Sequence, residues 1–164
     1  MPFLLSVYME IIIKEVSIKD VLDIHKKIPE FRETPADKLL GAERYKGKKT
    51  LFLAAYIGKK PVGYMTAYDR FADKSFYCWM TGVIPEYRNH GVLSAMMNYL
   101  FKWAGLNQFS KIKLKTRNER REMLAYLVKR GFFFTSIEAR EDVKDNRILL
   151  ERHIEEDYAF EAKV

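Results

Sequence analysis

The sequence predicts an α/β (α+β) fold in which helices flank a mixed, mostly antiparallel central sheet with one β-α-β crossover. Short apolar runs alternate with amphipathic segments along the chain, as strands and helices do. Two of these runs are joined by a glycine-containing turn, which is typical of an antiparallel hairpin. Further on, a strand, a long helix and a strand follow each other through short connections, which requires a right-handed parallel crossover.

The first part of the chain predicts one strand and two helices. β-branched residues at 9–16 indicate a strand, and Ser17 can cap a helix over 18–28. Pro29 ends that helix, and a loop follows it. A second, shorter helix is expected after Thr34. Its predicted determinants are Pro35 in its first turn and, on its buried side, Leu39 and Leu40.

A three-stranded meander is expected next. The apolar runs at 50–57 and 62–68 predict a hairpin with a four-residue connection at 58–61. A third run, at 76–83, continues the antiparallel arrangement. In that run Cys78 stands between two aromatic residues, and we expect it to be a core residue rather than a nucleophile.

The second half begins with a helix from Val92 that is apolar over most of its circumference. Only Ser94, Asn98 and Lys102 form a narrow polar stripe, so the helix should be mostly buried. The remaining elements are a strand at 111–116 with alternating lysines, a helix at 120–130 that ends before Gly131, and strands at 132–137 and 147–154. The lysines mark a polar strand face.

Composition favours one domain over 1–164, with residues 1–8 as an upstream extension. The chain has 164 residues, 48% of them apolar, and neither a linker nor a repeat divides it. The net charge of +7 allows an anionic ligand or polymer as partner. A nucleic-acid-binding domain is therefore one alternative, but no helix-turn-helix, zinc-finger or aromatic RNA-binding signature accompanies the charge, so no nucleic acid is expected.

Cysteine and histidine usage excludes several classes of protein. A single cysteine permits neither an internal disulfide framework nor a multi-cysteine zinc site, and it favours a reducing compartment, the cytoplasm. The histidines show no metal-ligand spacing, so no metal is expected. No apolar run reaches the length of a transmembrane helix, and no membrane association is expected.

The turn that leads into the long helix carries the strongest chemical signal. Pro85 ends the preceding strand abruptly, so the first helical amides should lie at the carboxyl edge of the sheet, where α/β ligands commonly bind. These amides lack internal partners and carry the positive end of the helix dipole. Gly91 removes a Cβ where a phosphate must approach, Arg88 can bind phosphate oxygens with both arms, and Ser94 adds a hydroxyl donor. We infer a diphosphate-binding turn.

This segment resembles motif A of the GNAT (GCN5-related) N-acetyltransferases. That motif is a Val-x-Pro strand end followed by Arg/Gln-x-x-Gly-x-Gly/Ala, and it is matched by Val83, Pro85, Arg88 and Gly91. Leu93 stands where the family has a small residue. The order of elements, with Asn118 and the Gly131-Phe132 pair, matches the family over nearly the full chain. The resemblance implies a GNAT-like acyl-CoA N-acyltransferase fold.

It also implies acetyl-CoA as cosubstrate and an amine as acceptor. Strand residues near Thr81 and Val83 would pair with the pantetheine amides, and the turn would hold the diphosphate. Asn118 would supply a further contact. The residues of the turn implied to bind are Arg88, Asn89, His90, Gly91, Val92, Leu93 and Ser94. The acceptor would be a small-molecule or peptide amine.

The family reaction is direct attack of a neutral amine on the thioester while both substrates are bound. Gly82 would sit in a β-bulge or a simple kink, where a free amide could stabilise the developing oxyanion. Tyr126 would assist thiolate departure, although it stands one residue before the usual position, Leu127, and packing in the core is slightly favoured. The strand before the motif has no carboxylate, which leaves the base unassigned, with Glu30 and Glu33 as weak candidates.

The sequence leaves two further possibilities open, an acyl-CoA sensing role and a homodimer. Without a strand carboxylate and with a displaced tyrosine, the chain could be a nonenzymatic acyl-CoA binding or sensing module. A homodimer is the other, with Tyr158 and Phe160 as contributors to its interface.

The arginines and lysines around the helix at 120–130 could meet the adenosine 3′-phosphate, but a solvated surface accounts for most of them. They are Arg117, Arg120, Arg121, Lys129 and Arg130.

Overall fold

The computed structural model describes residues 9–31, 35, 38–39 and 41–154, and its centre is a seven-stranded sheet. Its spatial order is β1-β2-β3-β4-β5-β7-β6, and every neighbouring pair is antiparallel except β4 and β5. The predicted fold class is confirmed. The strands are β1 (Ile11–Glu15), β2 (Thr50–Ile57), β3 (Lys60–Tyr68), β4 (Ser75–Val83), β5 (Lys111–Arg117), β6 (Phe133–Glu138) and β7 (Arg147–His153).

Helices cover both faces of the sheet. They are α1 (Ile18–His25), α2 (Ala42–Tyr45), α3 (Val92–Leu106) and α4 (Arg121–Lys129), with short 3-10 turns at Pro29–Phe31, Pro85–Tyr87 and Val143–Asp145. Ser17 caps α1 as predicted, in a reciprocal pair of bonds with Asp20. The helix ends at His25, three residues before its predicted end, because the chain tightens there toward Pro29.

The two faces bury separate apolar clusters. On one face α3 packs over β3, β4 and β5 through residues such as Met96, Leu100, Phe76 and Ile112, so the predicted burial of α3 is confirmed. On the other face α1 covers Tyr64 and its neighbours. Leu39 is buried as predicted. Residues 38–39 are helical, whereas Pro35, predicted in the first turn of this helix, is exposed and not helical. Thr34 and Leu40 lie outside the described residues, as do 1–8, Glu33, Tyr158 and Phe160.

The β2-β3 hairpin is tighter than the four-residue connection predicted. Ile57 pairs with Lys60, so Gly58, at φ +61°, and Lys59 make a two-residue turn. The prediction placed Pro61 in the loop, whereas the structure places it within β3, where it cannot donate a hydrogen bond to the neighbouring strand. The register of β2 and β3 shifts between Ala55 and Tyr56, and this bulge beside the proline allows it to lie within the strand.

The parallel strands β4 and β5 are hydrogen-bonded over only the first half of their length. Their pairing runs from Ser75 and Lys111 to Cys78 and Leu114, and then stops. At the same point β4 carries a bulge against β3: Ala67 pairs with Cys78 and Thr66 with Met80, leaving Trp79 as the extra residue. The extra residue redirects β4 away from β5 and opens a gap beside residues 79–83.

The predicted site of the bulge, Gly82, is therefore wrong. Gly82 pairs in regular register with Tyr64. It is required for a different reason, because a Cβ there would lie 2.6 Å from Ile28 Cδ1 and 2.7 Å from Phe31 Cε2. The glycine lets the segment after α1 close directly onto β4. None of the described helices is long and apolar enough to cross a membrane.

Candidate functional site

A cleft of about 800 Å³ occupies the gap between β4 and β5. Elements from both faces of the sheet contribute to it, because the strands no longer separate the two faces there. One wall is the end of β4 and the first turn of α3, and the other is the start of α4. The lining residues are Glu30, Phe31, Thr81, Gly82, Val83, Tyr87, Arg88, Asn89, Gly91, Val92, Leu93, Ser94, Glu119, Arg120, Arg121, Glu122, Met123 and Tyr126.

The amino end of α3 opens into this cleft. Gly91 is its N-cap at φ +84°, and no side chain of the described residues caps the helix. The first intrahelical bond of the cap runs from Ala95 N to Gly91 O, so the amides of Val92, Leu93 and Ser94 precede the hydrogen-bonded ladder. A Cβ on Gly91 would meet only Ile11 Cδ1, at 3.9 Å. The positive end of the helix dipole therefore faces open space, and this is the geometry that a phosphate group requires.

The Arg88 guanidinium is fixed across the cleft entrance by two partners. Its Nη1 and Nη2 donate to Glu30 Oε1 and Oε2, at 2.7 and 2.8 Å, and its Nε donates to Val83 O at 3.0 Å. This pair of parallel bonds is the geometry in which arginine also binds phosphate. The Glu30 carboxylate therefore occupies donors that a phosphate would use.

Glu30 is poorly suited to the role of general base. Hydrogen bonds from the Arg88 guanidinium lower the pKa of the Glu30 carboxyl to about 2. A carboxylate of such low pKa has little tendency to accept a proton from an amine at neutral pH. Glu33, the other candidate, lies outside the described residues.

Two hydroxyl groups meet at the inner end of the cleft. The Ser94 and Tyr126 hydroxyls are hydrogen-bonded to each other at 2.9 Å, and both residues line the cavity. The ring of Tyr126 packs against the core, as slightly favoured from the sequence, while the residue also lines the cleft. Leu127, at the position where the family has its tyrosine, is fully buried. Although Tyr126 stands one residue before the family position, it is Tyr126 and not Leu127 that lines the cleft.

The exposed edge of β4 is formed by Thr81 and Val83. Ile84 donates its amide to Val62 O on β3, and residues two apart on a strand direct their amides to the same side. The amide of Gly82 accordingly points toward β3, whereas those of Thr81 and Val83 point toward the gap. Both of these residues line the cleft.

Two predicted residues of the cofactor site do not line the cleft. His90 is exposed beside it. Asn118 stabilises the connection between β5 and α4: its Nδ2 donates to Val143 O at 3.1 Å, and its Oδ1 accepts from Arg121 Nη1 at 2.9 Å. Asn89, Val92 and Leu93 lie in the cleft wall as expected from their place in the turn.

Sequence reasoning missed several lining residues. Phe31 and Tyr87 come from 3-10 turns that no periodicity marks, and Met123 comes from the first part of α4. Glu119 and Glu122 flank the Arg120-Arg121 pair just beyond β5. Because β4 and β5 are parallel, the segment after β5 reaches the same sheet edge as the motif after β4, and this topology could have pointed to both glutamates.

The remaining candidates for covalent or metal chemistry have no place in the cleft. Cys78 is buried in the α3 cluster, as expected for a core residue, and desolvation raises the pKa of its thiol to about 12. The described residues contain no group of three or more His, Cys, Asp or Glu side chains able to hold a metal ion.

Comparison with known proteins relates this architecture to one family. Residues 18–132 match the family model described as Acetyltransferase (GNAT) family. This range includes the splayed strands, the turn at 88–94 and both hydroxyl residues. No curated protein matches the sequence.

Solved structures show the same fold at low sequence identity. Ard1 from Thermoplasma volcanium is 18% identical, with a TM-score of 0.72 over 87% of this chain and 97% of that one. The ribosomal-protein-S18-alanine N-acetyltransferase from Escherichia coli is 14% identical, with a TM-score of 0.74 over 88% and 94%. An aminoglycoside 6′-acetyltransferase type Ii is 17% identical, with a TM-score of 0.72 over 87% and 97%.

Proposed function

Because the chain belongs to the GNAT acetyltransferase family, we propose that it transfers an acetyl group from acetyl-CoA to a primary amine. The observation that supports this most directly is the uncapped amino end of α3, which faces an open cleft next to the Ser94-Tyr126 pair. One domain would carry the whole reaction. The cytoplasmic location and a homodimer stay predictions.

The diphosphate of acetyl-CoA would lie against the first turn of α3. The amides of Val92, Leu93 and Ser94 would donate to its oxygens, and the absent Cβ of Gly91 leaves the required space. Arg88 would add charge-assisted bonds, sharing its guanidinium with Glu30 or releasing it. Arg120 and Arg121 lie in the opposite wall and would face the nucleotide. The contacts of Asn89, His90 and Asn118 stay predictions.

The outer edge of β4 would position the pantetheine arm. Thr81 and Val83 direct their backbone groups into the gap, so an extended chain with amides can pair with them as an added strand would. Gly82 contributes to this arrangement because its lack of a Cβ allows the close approach of Ile28 and Phe31, of which Phe31 lines the cleft.

Acetyl-CoA bound in this way supplies an acetyl group as a thioester that an amine attacks directly. The nitrogen forms a bond to the carbonyl carbon, the carbon-sulfur bond breaks, and the electron pair leaves with sulfur. Tyr126 would donate the proton that sulfur takes up, with Ser94 orienting its hydroxyl. The amine, whose pKa is about 10, must lose a proton before attack. Glu119 and Glu122 are the other carboxylates that line the cleft and would accept this proton, and Glu119 Oε1 lies 3.4 Å from Arg117 Nη1.

Amine-dependent release of CoA tests this proposal. Purified protein is incubated with saturating acetyl-CoA and a panel of primary amines, and free thiol is measured together with the acetylated product by mass spectrometry. Sustained turnover on any amine is the expected result. Tight binding of acetyl-CoA in calorimetry without turnover would instead support the acyl-CoA sensing module.

A further inference from the structure

The acceptor must approach the gap from the face opposite α3. Phe76 and Cys78 on β4 point into the α3 cluster, and the cosubstrate site at the amino end of α3 belongs to that face. Trp79 belongs to the opposite face, as its ring contact with Tyr45 shows. Trp79, the bulge residue at which the gap begins, therefore borders the gap on the face from which an amine would approach, although it does not line the cleft itself. The inference that follows rests on the proposed function.

An arginine lies beside Trp79 on this face. The Arg44 guanidinium stacks 3.6 Å from the centroid of the Trp79 ring, and its Nη1 donates to Tyr68 Oη at 3.0 Å. Stacking on an aromatic face leaves the edge of a guanidinium available, and this edge carries its hydrogen-bond donors. Lys48 lies over the Tyr68 ring at 5.5 Å, which adds a second positive charge beside the first.

These cations differ from the lysines of β5 in how their charge is balanced. Lys111, Lys113 and Lys115 each bind a carboxylate, at 2.6 to 2.8 Å. Arg44 and Lys48 form no ion pair with any described residue. Arg44 is half-buried. The neighbouring Glu43 is exposed and forms no ion pair with Arg44 or with any other described residue. The aromatic rings hold the two cations in place without neutralising them.

We infer that Arg44 is a specificity-determining residue that binds a carboxylate of the acceptor. A half-buried arginine with fixed orientation and no acidic partner among the described residues has the chemistry of an anion receptor. Since the pantetheine arm would pair with β4 at Thr81 and Val83, the thioester would lie near the Thr81–Gly82 peptide. This peptide is two to three residues from Trp79 along β4, or about 7–10 Å at about 3.3 Å per residue. The acceptor is accordingly a primary amine with a carboxylate about 7–10 Å away, as in a peptide whose amino terminus is followed by an acidic side chain.

Peptide pairs that differ only in charge test this inference. C-terminally amidated Ala-Glu-Glu and Ala-Gln-Gln peptides of equal length are compared as acceptors, with 6-aminohexanoate as a small molecule whose amine and carboxylate reach the same separation and spermidine as a polycationic amine. We expect the acidic peptide to be used at least about tenfold better in kcat/KM than its glutamine counterpart, the ratio that one charge-assisted bond supplies. Better use of 6-aminohexanoate than of the acidic peptide would support the carboxylate site and identify a small acidic acceptor.

Variants separate a binding role for Arg44 from a structural one. Arg44→Gln is expected to raise the KM for the acidic peptide about tenfold with little change in kcat, and Arg44→Lys to restore part of the preference. Lys113→Gln is the matched control, because it removes one cation from the same face whose charge Asp73 already balances. It should leave the preference unchanged.

Failure of this inference is distinguishable from failure of the proposed function. Equal use of both peptides, better use of spermidine, or an equal loss of preference in Lys113→Gln would overturn the role of Arg44 while acetyl transfer stands. Without turnover on any amine, binding of the same peptides to the acetyl-CoA-loaded protein is measured by calorimetry. Equal or undetectable affinity for the acidic peptide would then overturn the inference as well.

Discussion

Individual side chains in the cleft are defined by the partners that the fold gives them. Arg88 looks free in the sequence, but it is held by Glu30, a residue 58 positions earlier. Tyr126 is out of register with the family pattern, but its hydroxyl reaches Ser94. In both cases the chemistry of the residue depends on a contact between segments far apart in the chain. Three predictions belong to this scale.

The Glu30-Arg88 pair predicts opposite effects on acetyl-CoA affinity. Arg88→Ala should weaken binding by about one to two orders of magnitude, because a charge-assisted bond is lost. Glu30→Gln should tighten it several-fold, because a carboxylate no longer shares the guanidinium with the diphosphate. Isothermal titration calorimetry measures both. Glu86→Gln is the control, since Glu86 is exposed and the variant changes the net charge equally. Weaker binding by Glu30→Gln would show that Glu30 serves to orient Arg88.

Glu30→Gln also tests whether this carboxylate is the base. The pKa of Glu30 is lowered to about 2 by hydrogen bonds from Arg88, so we expect the pH profile of kcat between pH 6 and 9 to be unchanged. Steady-state rates at saturating substrates measure it. Loss of a limb of the profile would assign the proton transfer to Glu30.

Tyr126→Phe tests proton donation to sulfur. The variant removes only the hydroxyl that bonds Ser94, so kcat should fall about 10²-fold or more, the usual contribution of a general acid. The dissociation constant of acetyl-CoA should stay within about threefold. An unchanged kcat would remove Tyr126 from the mechanism, and a matching loss of acetyl-CoA affinity would make it a binding residue.

The cleft is formed where the pairing of β4 with β5 ends and where α3 begins. The bulge at Trp79 ends the pairing of β4 with β5, and the positive φ of Gly91 turns the chain into α3 so that its amino end faces the resulting gap. Strand splaying and helix orientation thus converge on one edge of the sheet. Gly91→Val, with a β-branched side chain at φ +84°, would strain the backbone itself, so alanine is the better probe of the space beside it.

Gly91→Ala and Gly58→Ala form a matched pair. Both glycines have positive φ with no atom of another residue closer than 3.9 Å to an added Cβ, so each variant should lose about 1 kcal/mol of unfolding free energy from backbone strain. Only Gly91→Ala should also weaken acetyl-CoA binding, by about tenfold or more. Chemical denaturation and calorimetry measure the two effects. Equal acetyl-CoA affinity in both variants would contradict a close approach of the ligand at Gly91.

At the scale of the whole molecule, the sequence predicts the fold far better than it predicts the site. Strand and helix periodicities are local, so the meander, the crossover and the burial of α3 can be read from them, and Pro85, Arg88 and Gly91 mark the turn. The bulge at Trp79 cannot be predicted this way, because it depends on how β3 and β4 align. Neither can the Arg44-Trp79 stack, whose partners meet only after α2 folds over the sheet.

Stability should decline in acid because several carboxylates are ionised by their partners. Arg88 lowers the pKa of Glu30 to about 2, and Lys113 lowers the pKa of Asp73. A depressed folded-state pKa stabilises the protein above the unfolded value, near 4.5 for Glu30, and this stabilisation is lost as the pH falls toward 2. Side-chain exposures of 35% for Glu30 and 39% for Asp73 limit each contribution to about 1 kcal/mol or less.

Urea unfolding at pH 7, 4.5 and 3 measures this dependence. The free energy of unfolding should fall between pH 4.5 and 3, and Asp73→Asn should reduce the slope because one such carboxylate is absent. A slope that is unaffected by the substitution would show that Lys113 does not stabilise the folded state through Asp73.

An NMR titration of the ¹⁵N-labelled protein with CoA shows whether the first turn of α3 binds the diphosphate through its backbone amides. We expect the amide resonances of Val92, Leu93 and Ser94 to show the largest shifts, and pantetheine, which lacks the diphosphate, not to reproduce them. If these three resonances do not shift when the protein is saturated with CoA, the diphosphate binds elsewhere.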